Sequence, residues 1–476
     1  MTRAGEELGE DVPELPTDTI RASAGTGHRP LSELEAERLI GTVCFKTGPP
    51  GTIGAELEWL VQDERDSSLP VPFERVREVL DALQHPGAMP GAGLLTLEPG
   101  GQVELSTAPA DSLPACVAAA SDDLKVLRHA FGSAGLRLTG QGLDYQRLPS
   151  RVLDLPRYAA MEEFFDRRGP WGRLMMCSTA SVQVCIDAGL DDESSSGFAF
   201  RWRLIHALGP LLVAVFANSP LRRGRPTGWK CTRQLVWSRL DPYRTRAPLG
   251  AEPLSAMPPP LVTDPRQNLV SYAMDAEVLC QRHADGQPWT VPAGMTFRDW
   301  LRGADQPGPT ADDLRYHLTT LFPPVRPHGH LELRMIDAQP GDDGWIIPVA
   351  LVAALAEDPA AAEAALAAAE PVWYQLGAAG VPPPRPQQAR SVRGQALDGG
   401  LPPAPWLHAA RVGPADPVIR RAATECFAEA QAALARSQAP AQIQAAVADF
   451  AEQYPQRGRC PADDVLDSLG TGKGIS

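Results

Sequence analysis

Glu56 and Glu58 stand two residues apart in T-I-G-A-E-L-E-W-L-V (52–61), a stretch otherwise apolar enough to be a buried strand. On a strand such neighbours share a face, so the two carboxylates lie side by side while Ala55, Leu57, Trp59 and Val61 cover the other face. Burying adjacent like charges is costly unless a cation or a proton meets them. The same division recurs along the chain. Gln102, Glu104 and Ser106 share one face of a later strand, with Glu98 at the turn before it. Gln183 and Cys185 share a face in S-V-Q-V-C-I-D (181–187), and Glu332 and Arg334 share one in H-L-E-L-R-M-I-D (330–337). The alternate positions, such as Val103, Leu105, Val182, Val184, Leu331, Leu333 and Met335, are apolar.

A merely solvated sheet face mixes Lys, Thr and Ser with Glu. These faces carry glutamates, a glutamine and one arginine, with no lysine. Carboxylate oxygens without His suit a hard divalent cation, Mg²⁺ above all, and make zinc a poor fit. Arg334 is then expected to meet a phosphate rather than neutralise Glu332. Two stretches imitate other chemistry. T-G-P-P-G-T-I-G (47–54) lacks the Gly-Lys-Ser/Thr of a phosphate-binding loop and precedes a strand, so it reads as a turn. His328 and His330 in P-H-G-H read as solvated loop residues.

These faces need a sheet, and the flanking pattern supplies one. Strands are expected at 53–61, as a hairpin through Pro-Gly-Gly within 94–107, and at 137–143, 181–187 and 330–337. Helices are expected at 31–45, 73–83, 112–134, 157–168, 198–216 with a kink near Pro210, 296–303, 310–321, 348–369 and as a pair over 418–452. Hairpin signals outnumber βαβ signals, so the expected class is α+β, an antiparallel sheet with helices around it. Residues 1–30 are expected to be disordered or loosely attached, 31–452 to form one catalytic domain with a Pro/Gly-rich surface loop at 377–417, and 453–476 to be a tail.

Composition narrows the partners. The 476 residues carry 44 Lys and Arg against 58 Asp and Glu, a formal charge of −14, which disfavours a nucleic-acid binder. The N-terminus lacks the apolar core of a signal peptide, and the apolar run 207–217 is too short to span a bilayer, so no membrane partner is expected. Eight scattered cysteines, without a C-x-x-C pair, suit reduced thiols in the cytoplasm.

Seven segments in order carry a resemblance. They are I-G-A-E-L-E-W, L-E-P-G-G-Q-V-E-L-S, M-M-C-S-T-A-S-V-Q-V-C-I-D, F-A-N-S-P, G-M-T-F-R-D-W-L, H-L-T-T-L-F-P-P-V-R and H-L-E-L-R-M-I-D-A-Q-P, spanning about 51–340. In these the chain resembles the glutamate–cysteine ligases of the plant-like class, and within them the actinobacterial branch tied to ergothioneine synthesis. The resemblance implies a glutamine-synthetase-like fold, with a curved antiparallel sheet holding ATP and Mg²⁺. It implies L-glutamate and L-cysteine as substrates and a γ-glutamyl phosphate on the way to γ-glutamylcysteine. By position, Glu56, Glu58, Glu104 and Glu332 line the metal site, with Glu98 beside them. Gln183 sits where some relatives carry a metal-side histidine and reaches towards the nucleotide, and Arg334 stabilises the transferring phosphoryl group. Arg233, in K-C-T-R-Q-L-V-W, matches an arginine that holds the α-carboxylate of glutamate, and Trp237 walls the cysteine pocket. Cys231 and Thr232 depart from the plant pattern, which has Ser-Met there. A ligase of the same fold with another amine acceptor, or supply of the dipeptide to another thiol such as glutathione, would show the same residues, and a non-catalytic binding protein could keep the fold.

Overall fold

The computed structural model describes residues 29–249, 264–283, 287–303, 307–378 and 404–470. The first elements are α1 (Glu33–Cys44), β1 (Ile53–Asp63), α2 (Phe73–Asp81), β2 (Leu94–Leu97), β3 (Val103–Ser106), α3 (Leu113–Ser133) and β4 (Leu136–Thr139). Then come α4 (Pro156–Asp166), α5 (Trp171–Ser178), β5 (Ser181–Asp187), α6 (Phe198–Val215), a small ribbon of β6 (Leu221–Arg222) and β7 (Arg225–Pro226), α7 (Thr232–Trp237) and α8 (Pro242–Thr245). Next are α9 (Pro265–Asp275), α10 (Phe297–Arg302), α11 (Ala311–Thr319), β8 (Val325–Pro327) and β9 (His330–Asp337). The chain closes with α12 (Ile346–Glu357), α13 (Pro359–Ala378), α14 (Ala404–Val412), α15 (Pro417–Arg436), α16 (Ala441–Gln453) and α17 (Pro461–Gly470).

Seven strands form one sheet in the order β2-β3-β1-β5-β9-β8, with β4 paired to the far end of β1. Every pairing in it is antiparallel, as the hairpin signals require. The apolar face of Ala55, Leu57, Trp59, Val103, Leu105, Val182, Val184, Ile186, Leu331 and Leu333 is buried in the main core. Helices α3, α6 and α12 pack against β1, β9 and β5 there. Burying that face is the main apolar gain that holds the strands in register. The class is therefore α+β, as expected.

One irregularity decides which side chains reach the opposite face. Val182 pairs with Ile336 and Val184 with Leu333, so Arg334 and Met335 of β9 stand opposite Gln183 alone. This bulge shifts the alternation by one residue. Beyond it Ile336 pairs with Val182 on the core side, and Asp337 pairs with Ser181, which has the parity of Gln183. Strict alternation would have put Asp337 in the core.

Three expected segments differ. The single helix expected at 348–369 is two, because Pro359 forces Asp358 into extended backbone (φ −97°, ψ 114°). Asp358 then caps α13, its carboxylate accepting the Ala361 N–H at 2.9 Å. The surface loop expected over 377–417 lies outside the described residues only at 379–403. Its last part is α14, where Trp406 is 1% exposed and fills the space that a side chain at Gly209 of α6 would need, 2.2 Å away. The tail expected from 453 instead carries a 3-10 turn (Pro455–Arg457) and α17, which runs to Gly470, with Cys460 and Ala462 buried and Lys230 paired to Asp463. In both, Pro and Gly read as loop signals are helix starts and close-packing points. The N-terminal segment expected to be loose lies, up to residue 28, outside the described residues.

Among the described residues one helix, α6, is long and apolar enough to cross a membrane, and 83% of it is buried inside the fold. All eight cysteines are unpaired thiols.

Candidate functional site

The sheet brings the expected carboxylates onto one face. Glu58 of β1 lies directly opposite Glu104 of β3, and Glu56 lies between Ser106 and Gln183. On the far side Cys185 separates Gly54 from Glu332, and Arg326 of β8 stands opposite Glu332. Glu98 begins the β2–β3 turn, where its N–H donates to the Gln102 carbonyl at 2.9 Å. That turn needs its glycines. A side chain on Gly100 would meet the Cys177 carbonyl at 2.3 Å, and Gly101 has φ +85°. Gln102, expected on this face, instead ties the turn to α5, its amide donating to the Met176 and Thr179 carbonyls at 3.2 and 2.9 Å.

The carboxylates are unequally satisfied. Glu58 accepts the Ser181 N–H and the Gln183 amide, each at 2.8 Å. Glu104 accepts the Thr96 hydroxyl at 2.8 Å. Glu56 and Glu98 have no side-chain hydrogen bond or ion pair among the described residues. Burial first, then the charges of Glu332 and Glu104, push the Glu56 carboxyl well above the carboxylate range. Burial, followed by Glu104 and Glu58, raises Glu98 to about 8. Burial and then Glu58 raise Glu104 to about 7.

Glu332 is the counter-case. Burial raises its carboxyl too, but Arg326 and Arg334 outweigh burial and hold it at about 2. Arg326 meets it at 2.8 Å, and Arg334 pairs with its other oxygen. The expectation that Arg334 leaves Glu332 un-neutralised is therefore corrected. They share a face two residues apart, so the guanidinium folds back on its own strand. Arg334 also donates to Gln183 Oε1 at 2.6 Å. Gln183 is thus a bridge between Glu58 and Arg334, with its oxygen and its nitrogen both engaged.

Arg233 and Trp237 come from α7, a short helix capped by the Cys231 thiol, which accepts the Gln234 N–H at 3.3 Å. Arg233 is buried and donates to the Arg334 carbonyl at 2.8 Å. The Arg233 and Arg334 guanidiniums approach the Trp237 ring at 5.6 and 5.9 Å. Three N–H donors here, Arg233 Nε, Arg334 Nε and Trp237 Nε1, are buried without an acceptor. Orphaned buried donors are costly and mark a place where an anionic acceptor fits.

Sequence reasoning missed Arg326, Ser181 and Asp337. Arg326 could have been found from the three-residue connection 328–330 centred on Gly329 (φ +80°), which pairs Pro327 with Leu331 and so sets Arg326 against Glu332. The 47–54 turn behaves as expected, its Gly51 and Thr52 N–H groups donating to Asp187 at 2.9 and 2.6 Å.

Five carboxylates thus share a face with two guanidiniums. The donor set is hard oxygen and its charge excess fits a divalent cation. Among the described residues, however, no three carboxylate, imidazole or thiol groups are drawn together closely enough to hold a metal ion by themselves. Such a face can hold a multiply charged anion together with a cation it brings.

An antiparallel sheet with this equipment suits anionic ligands that arrive with a divalent cation. The chain belongs to the glutamate–cysteine ligase family 2 (GCS2), whose model matches residues 52–377. It is 37% identical over 443 residues to the glutamate–cysteine ligase EgtA of Mycobacterium tuberculosis, covering 92% of this chain and 90% of that protein. It is 36% identical to EgtA of Mycolicibacterium smegmatis over 91% of both. The chloroplastic glutamate–cysteine ligase A of rice, Oryza sativa subsp. japonica, is 30% identical over 62% of this chain and 61% of its own length. A crystal structure of the glutamate–cysteine ligase of Francisella tularensis with AMP covers 88% of this chain and 85% of its own at 11% identity, with a TM-score of 0.46.

Proposed function

We propose that the protein joins the γ-carboxyl of L-glutamate to the amino group of L-cysteine at the expense of ATP, giving γ-L-glutamyl-L-cysteine, ADP and phosphate. The dipeptide then feeds ergothioneine synthesis, in keeping with the similarity to the EgtA proteins. The observation that carries this reading is the pairing of a carboxylate-rich face with three orphaned donors around Trp237.

A carboxylate does not react with an amine. The γ-carboxylate oxygen of glutamate therefore takes the terminal phosphoryl group of ATP, forming an acyl phosphate and releasing ADP. The cysteine nitrogen then attacks the acyl carbon, a C–N bond forms, the C–O bond to phosphate breaks, and the amine loses a proton. The protein needs no nucleophile of its own, and positioning with charge stabilisation does the work. Arg233 holds the glutamate α-carboxylate through its undonated Nε, and Trp237 walls the cysteine pocket. Arg334 opposes the charge of the transferring phosphoryl group, and Gln183 keeps Arg334 and Glu58 in register beside the nucleotide. Mg²⁺, when bound, neutralises the ATP phosphates, and Glu56, Glu58, Glu104 and Glu332 would hold it, with Glu98 at the edge. The unpaired thiols and the need for ATP suit the cytoplasm.

The test is ADP release with L-glutamate, Mg-ATP and a panel of amines. L-cysteine should be preferred, with one dipeptide formed per ADP. Equal or better turnover with another amine would replace the acceptor.

A further inference from the structure

Asp337 takes no part in that reaction, yet its carboxyl is only 1% exposed. It is heavily engaged. Oδ2 accepts the Asn218 N–H at 2.8 Å and the Ser219 hydroxyl at 2.7 Å, and Oδ1 accepts the Cys231 thiol at 3.3 Å. The Arg233 guanidinium stands 3.9 Å away from Oδ1. The donors come from the chain leaving α6 and from the cap of α7, so one carboxylate gathers the segments that present Arg233.

The grip extends to Arg233 itself. Ser219 Oγ, while donating to Asp337, accepts the Arg233 N–H at 3.1 Å. The guanidinium is steered at one end by Asp337 and at the other by the Arg334 carbonyl, which accepts from it at 2.8 Å. Its Nε is left undonated. A close bidentate clamp would have consumed the fork of the guanidinium. At 3.9 Å, with its lone pairs given to three other donors, Asp337 orients Arg233 without occupying it. The β9 bulge makes this possible, since without it Asp337 would face the core.

We propose that Asp337 is a positioning residue that sets Arg233 for the glutamate α-carboxylate, and so fixes affinity for the donor amino acid. The inference rests on the placement of glutamate at Arg233.

Steady-state kinetics of the full chain with Asp337→Asn, Arg233→Met and the double variant test it. Asp337→Asn should raise KM for glutamate about tenfold, with kcat and KM for ATP and cysteine within about twofold. Arg233→Met should raise the same KM, and the double variant should be no worse than Arg233→Met alone. If Arg233→Met raises the glutamate KM while Asp337→Asn does not, or raises every KM alike, the role of Asp337 is overturned and the glutamate placement stands. Effects that multiply in the double variant overturn it too. If Arg233→Met leaves the glutamate KM unchanged, the placement fails and the inference falls with it. Should Asp337→Asn not fold, Ser219→Ala cuts the same link. It should raise the glutamate KM selectively and by less, and an unselective loss of kcat would contradict the proposal.

Discussion

Asp337 at the end of β9 and Glu56 in the middle of β1 are both carboxylates in low-dielectric surroundings, two strands apart in one sheet. Asp337 accepts hydrogen bonds from three donors and has an arginine beside it. Glu56 accepts no side-chain hydrogen bond among the described residues, and Glu332 and Glu104 act on it more strongly than Arg326 and Arg334 do. Burial raises both carboxyls, but at Asp337 the arginine and the donors work against burial, whereas at Glu56 the like charges of Glu332 and Glu104 reinforce it more strongly than Arg326 and Arg334 oppose it. A fold does not keep an unmet carboxylate for its own stability. Asp337 is where the chain satisfies itself, and Glu56 is where it leaves charge for something that binds.

The largest expected effect breaks the pair apart by function. Glu56→Gln should lower kcat by about 10²–10³-fold, the loss typical of a charge-stabilising group. Its thermal unfolding without ligand should match or exceed that of the parent, because a repelled buried charge is removed. A variant with normal turnover would refute the cation role.

The second runs the other way. Asp337→Ala strips three donors of their acceptor and should destabilise the fold by about 3 kcal/mol in denaturant titration. A loss under about 0.5 kcal/mol, the level of a surface substitution, would erase the contrast.

Between the two extremes lies Glu58, held by Ser181 and Gln183. Gln183→Met should free both Glu58 and Arg334 and lower kcat by about tenfold with little change in stability. Unchanged kcat would make Gln183 packing only.

The smallest effect concerns pH. Burial and the charge of Glu58 raise Glu104 to about 7, from the 4.5 of an ordinary glutamate. Its contribution to stability is therefore fully present below about 4.5 and is lost as pH rises through about 7. In chelator, Glu104→Gln should flatten the fall in stability over that window by on the order of 1 kcal/mol. The buried His206 and His317, lowered to about 4 and about 3, oppose this below neutrality in both proteins, so the difference between the two leaves Glu104 together with its effect on Glu98 and Glu56.

The site was more legible than its support. Alternation in 53–61, 94–107, 181–187 and 330–337 was enough to set the glutamates on one face, because one buried face fixes the register of a strand. Asp337 was hidden for the same reason, since alternation without the bulge assigns it to the core, and nothing local in M-I-D-A announces the extra residue. The ion pair of Arg334 with Glu332 was hidden by competition, as the pattern shows a cation near an anion but not whether a ligand or the neighbour takes it. Helices α14 and α17 were lost because Pro at a helix start and Pro in a loop look alike locally. Trp406 in the space at Gly209 is a tertiary fact.

The contrast comes down to whether Glu56 is waiting for a cation that arrives with the nucleotide. Thermal unfolding of the parent and of Glu56→Gln, each in chelator, with ATP in chelator, and with Mg-ATP, measures this directly. The parent should gain several degrees with Mg-ATP and little with ATP alone, while Glu56→Gln starts no lower than the parent and gains almost nothing. An equal Mg-ATP gain in both proteins, or a variant that is less stable in chelator, would contradict the cation site at Glu56.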